Sequence, residues 1–307
     1  MRKVKGRALG AGSKIGIVAP ASPLDSMEEI AKAASKMAQH GYLPVLGATA
    51  SPMDGKLAGT DIVRRADLES FWQDDSIAAI WCLRGGYGCI RILPQLWYGL
   101  FAKKPKILIG FSDITTLEMA LWSQTGLVTF HGPVLASLNS EFSISQALGV
   151  LSGDWKNRQL EWPLEGPKKY LPIRSGITQG IVLGGNLTSI ISLMGTRFLP
   201  SFEGVILFLE ETGEQAYRVD RMLSQLLISG ILHTVAAVLV GRCIPSSHQD
   251  EDELVKVFAE RLGTLKCPVA YGYPIGHIAE QWTIPQGVMA EVDIDRGSLV
   301  LLEKPLD

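Results

Sequence analysis

Apolar runs alternate with amphipathic stretches along most of this chain. Lys14-Ile-Gly-Ile-Val-Ala-Pro-Ala-Ser22 reads as a buried strand ending in a turn, and Ser22-Pro23 opens toward a helix with Ile30, Ala33, Ala34 and Met37 on one face. His40-Gly41 is its stop signal, and Pro44-Val-Leu follows as a short strand. Residues 61–75 predict a helix capped by Thr60 or Asp61, with Ile62, Ala66, Leu68 and Trp72 available for burial. The apolar run from Ser76 to Leu83 is a strand that leads straight into Arg84-Gly-Gly-Tyr-Gly88, and a short helix from about Cys89 stops near Pro94. A run rich in β-branched residues then reaches Gly110, and Ile114, Leu117 and Leu121 repeat at helical spacing beyond it. Leu127 to Phe130 completes a first half in which strands and helices alternate, the mark of a parallel sheet covered on both faces.

The pattern weakens between Ser140 and Ser175, where Trp155, Trp162, Pro163, Gly166, Pro167 and Pro172 interrupt a mixed polar segment. Strands resume at residues 180–186, 205–209, 235–240 and 267–271, with helices predicted at 217–228 and 251–262. The tail reads as a β-hairpin turning at Asp295-Arg-Gly297. The expected fold is therefore α/β in two domains. An open parallel, Rossmann-like α/β domain occupies residues 1–140, a connection 141–175, and a β-rich α/β domain 176–307. A length of 307 residues agrees with two cores rather than one.

Composition narrows the function classes. The chain is 47% hydrophobic and 20% charged with a formal charge of −2, and a pI near 6.2 gives no support for a nucleic-acid partner. Cys82, Cys89, Cys243 and Cys267 form no C-x-x-C pair and read as reduced core residues of a cytoplasmic protein. Lys14 breaks the apolar run near the N-terminus, leaving too little for a signal peptide, and no window is apolar enough to span a membrane.

Three polar residues, Ser112, Glu210 and His277, each stand at the C-terminal end of a predicted buried strand, where open α/β sheets bind ligands. Serine needs a base to take its proton, and the base needs a carboxylate to fix its tautomer, so the trio suits nucleophilic catalysis. At this level the alternatives stay open. Ser112 or Asp113 also suits a helix cap, His131 is a rival base, His40, His233 and His248 read as helix-end or loop residues, and periodicity does not separate Glu210 from Glu211. Arg84-Gly-Gly-Tyr-Gly88 lacks the Walker and dinucleotide fingerprints and fits an oxyanion donor or a carboxylate clamp better. A serine hydrolase and a non-catalytic small-molecule-binding protein both accommodate these features.

Taken together, Val18-Ala-Pro-Ala-Ser22, Arg84-Gly-Gly-Tyr-Gly88, Gly110-Phe-Ser-Asp113, Phe130-His-Gly-Pro133, Gly184-Gly-Asn-Leu187, Phe208-Leu-Glu-Glu211 and Gly276-His277 resemble the LD-carboxypeptidase family. These serine peptidases include muropeptide-recycling enzymes and microcin C immunity peptidases. The resemblance implies a triad of Ser112, His277 and Glu210, with the N–H groups of Gly86 and Asp113 as oxyanion hole and Arg84 or Asn186 helping to hold substrate. It further implies a small peptide substrate, the murein tetrapeptide, from which the terminal D-alanine is removed in the cytoplasm, by a homodimer, without metal or cofactor. The site is expected between the domains. The absence of an obvious long insertion favours the muropeptide branch over the acyl-nucleotide one.

Overall fold

The computed structural model describes residues 2–53, 55–153, 159–164, 170–246 and 251–307. Two sheets carry the fold. The first contains β1 (Lys14–Val18), β2 (Leu43–Leu46), β3 (Ile77–Cys82), β4 (Ile107–Gly110) and β5 (Thr129–His131), all parallel in the spatial order 2-1-3-4-5. Helices α1 (Met27–Gln39), α2 (Asp61–Gln73), α3 (Cys89–Ile92), α4 (Tyr98–Lys103) and α5 (Ile114–Thr125) connect them. Every residue of β4 is buried, as expected of a central strand with helices on both faces. The chain order reverses between β1 and β3, and a crevice opens there beyond the strand C-termini.

Residues 141–175, read from sequence as the connection, contain α6 (Glu141–Leu151) and β6 (Leu171–Arg174). Of the residues that obscured this segment, Trp155, Gly166 and Pro167 lie outside the described residues. Trp162 stacks within 5.6 Å, ring centre to ring centre, of Tyr170, Tyr273 and Trp282, so the segment is pinned to the second sheet by aromatic contacts.

The second sheet has a parallel core of β7 (Ile177–Asn186), β8 (Val205–Glu210), β10 (Ala237–Gly241) and β12 (Val269–Tyr273). Antiparallel β14 (Met289–Asp293) and β15 (Ser298–Leu301) extend one edge as the expected hairpin, and β6 closes the other. A small parallel pair, β9 (Thr212–Glu214) and β11 (Ile244–Pro245), lies beyond the C-terminal ends of β8 and β10. The helices are α7 (Leu187–Ser192), α8 (Ala216–Ile228), α9 (Ile231–Thr234) and α10 (Glu251–Leu262), with α8 packed on α10 and α7 packed on α5 of the other sheet.

One strand crosses between the sheets. Ile284–Gln286, β13, leaves the second half of the chain and pairs antiparallel with β5, so the first sheet has six strands. The α6 segment secures this excursion. Ser143 Oγ donates to the Ala279 carbonyl and accepts from the Gln281 N–H, and Gln146 accepts from the Thr283 N–H. The stretch that follows His277 is thus held by three hydrogen bonds with α6 and by the pairing with β5.

Among the described residues no helix is long and apolar enough to cross a membrane. The four cysteines are free; three are buried and Cys267 is partly so.

Candidate active site

Ser112 sits between β4 and α5 with φ of 65°, and among the described residues no other non-glycine residue has a positive φ. Such a conformation costs about 1–3 kcal/mol and is kept only where the surroundings impose it. Two residues earlier the backbone of Gly110 is closely approached: a Cβ there would lie 2.9 Å from Ile114 Cγ2, closer than real contacts allow, and 3.1 Å from Cys82 Cβ, a tight fit. The result is a strand-to-helix elbow that lifts the hydroxyl above the sheet edge. Asp113 holds the N-cap position of α5 but makes no side-chain cap bond; its carboxylate accepts the Cys89 N–H at 2.7 Å. Burial raises the Asp113 pKa above the usual carboxylate value.

The glycine loop beside Ser112 is clamped at each residue. A Cβ on Gly85 would stand 2.8 Å from Ser112 Cβ, and one on Gly86, at φ of 105°, would run into the Ser22 hydroxyl. Ser22 donates its N–H to the Gly85 carbonyl, accepts the Tyr87 N–H at its hydroxyl, and donates that hydroxyl to the Lys56 carbonyl. The Gly88 carbonyl is taken by Arg64, a fully buried guanidinium that also reaches the Pro20 and Gly59 carbonyls and the Asp61 carboxylate. Sequence reading missed Arg64 because it expected Ile62 and Ala66 on the buried face of α2. Both are exposed, and Arg64 and Asp67 are inside instead, because the loops at the strand ends need donors and acceptors more than further apolar contact. The N–H groups of Gly86 and Asp113 donate to no protein acceptor among the described residues, and both residues line the same cleft.

Opposite this wall, β8 ends at Glu210, fully buried, and the turn after β12 presents His277. His277 Nδ1 lies 2.8 Å from Glu210 Oε2. With Nδ1 donating to the carboxylate, Nε2 is left as a free base. Gly276 makes the approach possible: at φ of 108° its missing side chain would sit 2.8 Å from Glu210 Oε2. Burial alone would lower the His277 pKa, but the hydrogen bond and charge of Glu210, with Glu211 behind, outweigh it and leave the imidazole more basic than usual. The ring rests against Phe111, 4.6 Å between centres, so the residue preceding the serine also buttresses the histidine.

Glu211, indistinguishable from Glu210 by periodicity, is spent on the scaffold. It accepts from Asn186 Nδ2, from the N–H and hydroxyl of Thr188, and from the Thr212 N–H. Asn186 lines the cleft with its amide engaged, since its oxygen caps α7 through the Ser189 N–H. His131, the rival base, is fully buried between Phe111 and Phe208, and burial lowers its pKa to about 4. It does not line the cleft. His40 terminates α1, His233 lies in α9, and His248 falls outside the described residues.

Ser112 and His277 therefore face one cleft of about 820 Å³ between the two sheets, with Glu210 beneath the histidine. Among the described residues no three His, Cys, Asp or Glu side chains are grouped to hold a metal.

Residues 15–132 match the LD-carboxypeptidase N-terminal domain, and residues 179–292 the LD-carboxypeptidase C-terminal domain. The chain belongs to the LD-carboxypeptidase family. It is 32% identical to the probable murein peptide carboxypeptidase of Bacillus subtilis, over 97% of this chain and 94% of that protein. It is also 32% identical to the murein tetrapeptide carboxypeptidase of Pseudomonas aeruginosa, over 92% and 94%. Among solved structures, MccF in complex with glutamyl sulfamoyl guanosine superposes with a TM-score of 0.90 at 23% identity, over 99% of each chain, a likeness of fold.

Within the LD-carboxypeptidase frame, the N-terminal match carries Ser112 and the glycine loop, while the C-terminal match carries Glu210 and His277. The cleft is where the two family domains meet, and the family is one of peptidases.

Proposed function

We propose that the protein is a serine LD-carboxypeptidase that releases the terminal D-alanine from murein tetrapeptides. The observation that carries this reading is Ser112, held at a strained elbow in the same cleft as a histidine whose far nitrogen is fixed by Glu210 at 2.8 Å. Ser112 Oγ attacks the carbonyl carbon of the L-centre while His277 Nε2 takes the hydroxyl proton. The oxyanion accepts hydrogen bonds from the N–H groups of Gly86 and Asp113. Collapse breaks the C–N bond, His277 returns the proton to the departing amine, and D-alanine leaves. Water then gives a proton to His277 and attacks the ester, and the tripeptide departs as Ser112 regains its proton. The family resemblance adds the cytoplasm and a homodimer to this reading.

Incubation with an L,D-tetrapeptide should yield the tripeptide and free D-alanine, followed by mass spectrometry. An intact tetrapeptide after prolonged incubation would overturn the reading. The fold shared with MccF motivates a second arm, an aminoacyl sulfamoyl nucleoside, and nucleoside release from it alone would move the assignment to that branch.

The raised pKa of His277 sets a pH dependence. The base works only when neutral, so kcat/KM should fall on the acid side with a midpoint above the ordinary histidine value of about 6.5. A pH–rate profile measures this, and an acid midpoint below about 6 would contradict it. Stability runs the other way. The protonated pair with Glu210 stabilises the fold fully below the unfolded-state pKa, and that contribution is lost as pH rises through the folded one.

A further inference from the structure

A second pocket, of about 370 Å³, shares Arg84 and Ala136 with the cleft. Helix α1 contributes Glu29, Lys32 and Lys36 to its wall, the segment between β5 and α6 contributes Asn139, and Asp25 completes its charged lining. Three cations thus face two carboxylates. Lys36 Nζ donates to the Leu135 carbonyl at 3.3 Å and to Asn139 Oδ1 at 2.7 Å, both neutral acceptors, and Arg84 donates to the neutral Pro23 carbonyl. Burial, and then the charge of Lys32, lower the Lys36 pKa, as happens to an ammonium group held without a counter-charge.

The main cleft has the opposite character. Asp113, Glu211 and Glu214 line it, and Arg84 is the one lysine or arginine among its described lining residues. On that wall the carboxylates disfavour the free carboxylate of a peptide and Arg84, which lines both pockets, attracts it. Arg84 directly precedes Gly85, whose backbone packs against Ser112, so the wall shared by the two pockets begins one residue from the glycine that flanks the nucleophile. In a carboxypeptidase substrate the terminal carboxylate lies one residue past that bond.

We infer that this annex is the subsite for the free carboxylate of the departing C-terminal residue, held by Arg84 and Lys36. The inference rests on the proposed carboxypeptidase activity for its substrate. It explains how the end of a peptide is distinguished from its middle: an amidated or extended peptide brings no charge to the annex.

The test variant is Lys36→Gln, which keeps an N–H donor for Asn139 and Leu135 but removes the charge, with Lys36→Arg as the charge-retaining control. For the free-acid tetrapeptide, Lys36→Gln should raise KM roughly tenfold with kcat within about twofold of wild type, and Lys36→Arg should restore most of the loss. For the C-terminally amidated tetrapeptide the two proteins should have the same KM. Unchanged KM for the free acid, or an equal rise for both peptides, overturns the inference. Calorimetric titration of D-alanine into wild type and Lys36→Gln gives a readout that needs no turnover. Binding weakened in the variant supports the annex even if the tetrapeptide is not cleaved, whereas binding of inorganic phosphate but not of D-alanine overturns it.

Discussion

Alanine in place of Ser112 is expected to lower kcat for D-alanine release by a factor on the order of 10⁴–10⁶, the range seen when the nucleophile of a cooperating serine triad is removed. The protein should remain folded, because alanine is no better and no worse suited than serine to the φ of 65° at this position. Tetrapeptide binding should persist, since the glycine loop is fixed by Ser22 and Arg64 rather than by the serine hydroxyl. Residual activity within about tenfold of wild type would assign the nucleophile to another group, water included.

Replacing Glu210 by glutamine should cost about 10³–10⁴ in kcat while leaving KM nearly unchanged. The shape is conserved, but the amide does not hold the Nδ1–H tautomer of His277 against its alternative, and the charge that favours the imidazolium disappears. The acid midpoint of the pH–rate profile should fall at the same time, because Glu210 contributes both of the leading effects that raise the His277 pKa. The contrast is Glu211→Gln. That carboxylate accepts four donors, from Asn186, Thr188 and Thr212, and acts on His277 through its charge without a hydrogen bond, so its loss should appear in the melting temperature more than in the position of the acid limb. An acid midpoint displaced more by Glu211→Gln than by Glu210→Gln would reverse the roles given to the two.

Much of this arrangement is legible in the sequence because local rules act on it directly. An apolar β-branched run ending in glycine, then serine, then a helical repeat, has few interpretations, and the elbow at Ser112 is among them. The hairpin around Asp295 to Gly297 and the helix at Glu251–Leu262 are read from turn chemistry and periodicity in the same way. What sequence does not reveal are the long-range polar arrangements. Arg64 lies on a helix where a charged residue ordinarily faces water, and its burial follows from three loop carbonyls, two of them, on Pro20 and Gly88, distant in the chain. The choice between Glu210 and Glu211 likewise depends on residues distant in the chain: Gly276, more than sixty residues away, leaves room for His277 to reach Glu210, while Asn186 and Thr188 engage Glu211. The helix at Glu141–Leu151 was hidden by the prolines and tryptophans after it, and its purpose, tethering the stretch beyond His277, has no local signature.

The strand at Ile284–Gln286 closes the edge of the first sheet from near the far end of the chain. No single cut therefore divides the polypeptide into two self-sufficient halves. A fragment ending before that strand would expose the Thr129–His131 edge as an open template for pairing with other chains. Heat or denaturant meets the same constraint, since loosening either sheet pulls on the segment that carries the histidine. The fold is in this sense laced shut through the strap that follows His277, and loss of structure and loss of the histidine's position are expected to come as one cooperative event.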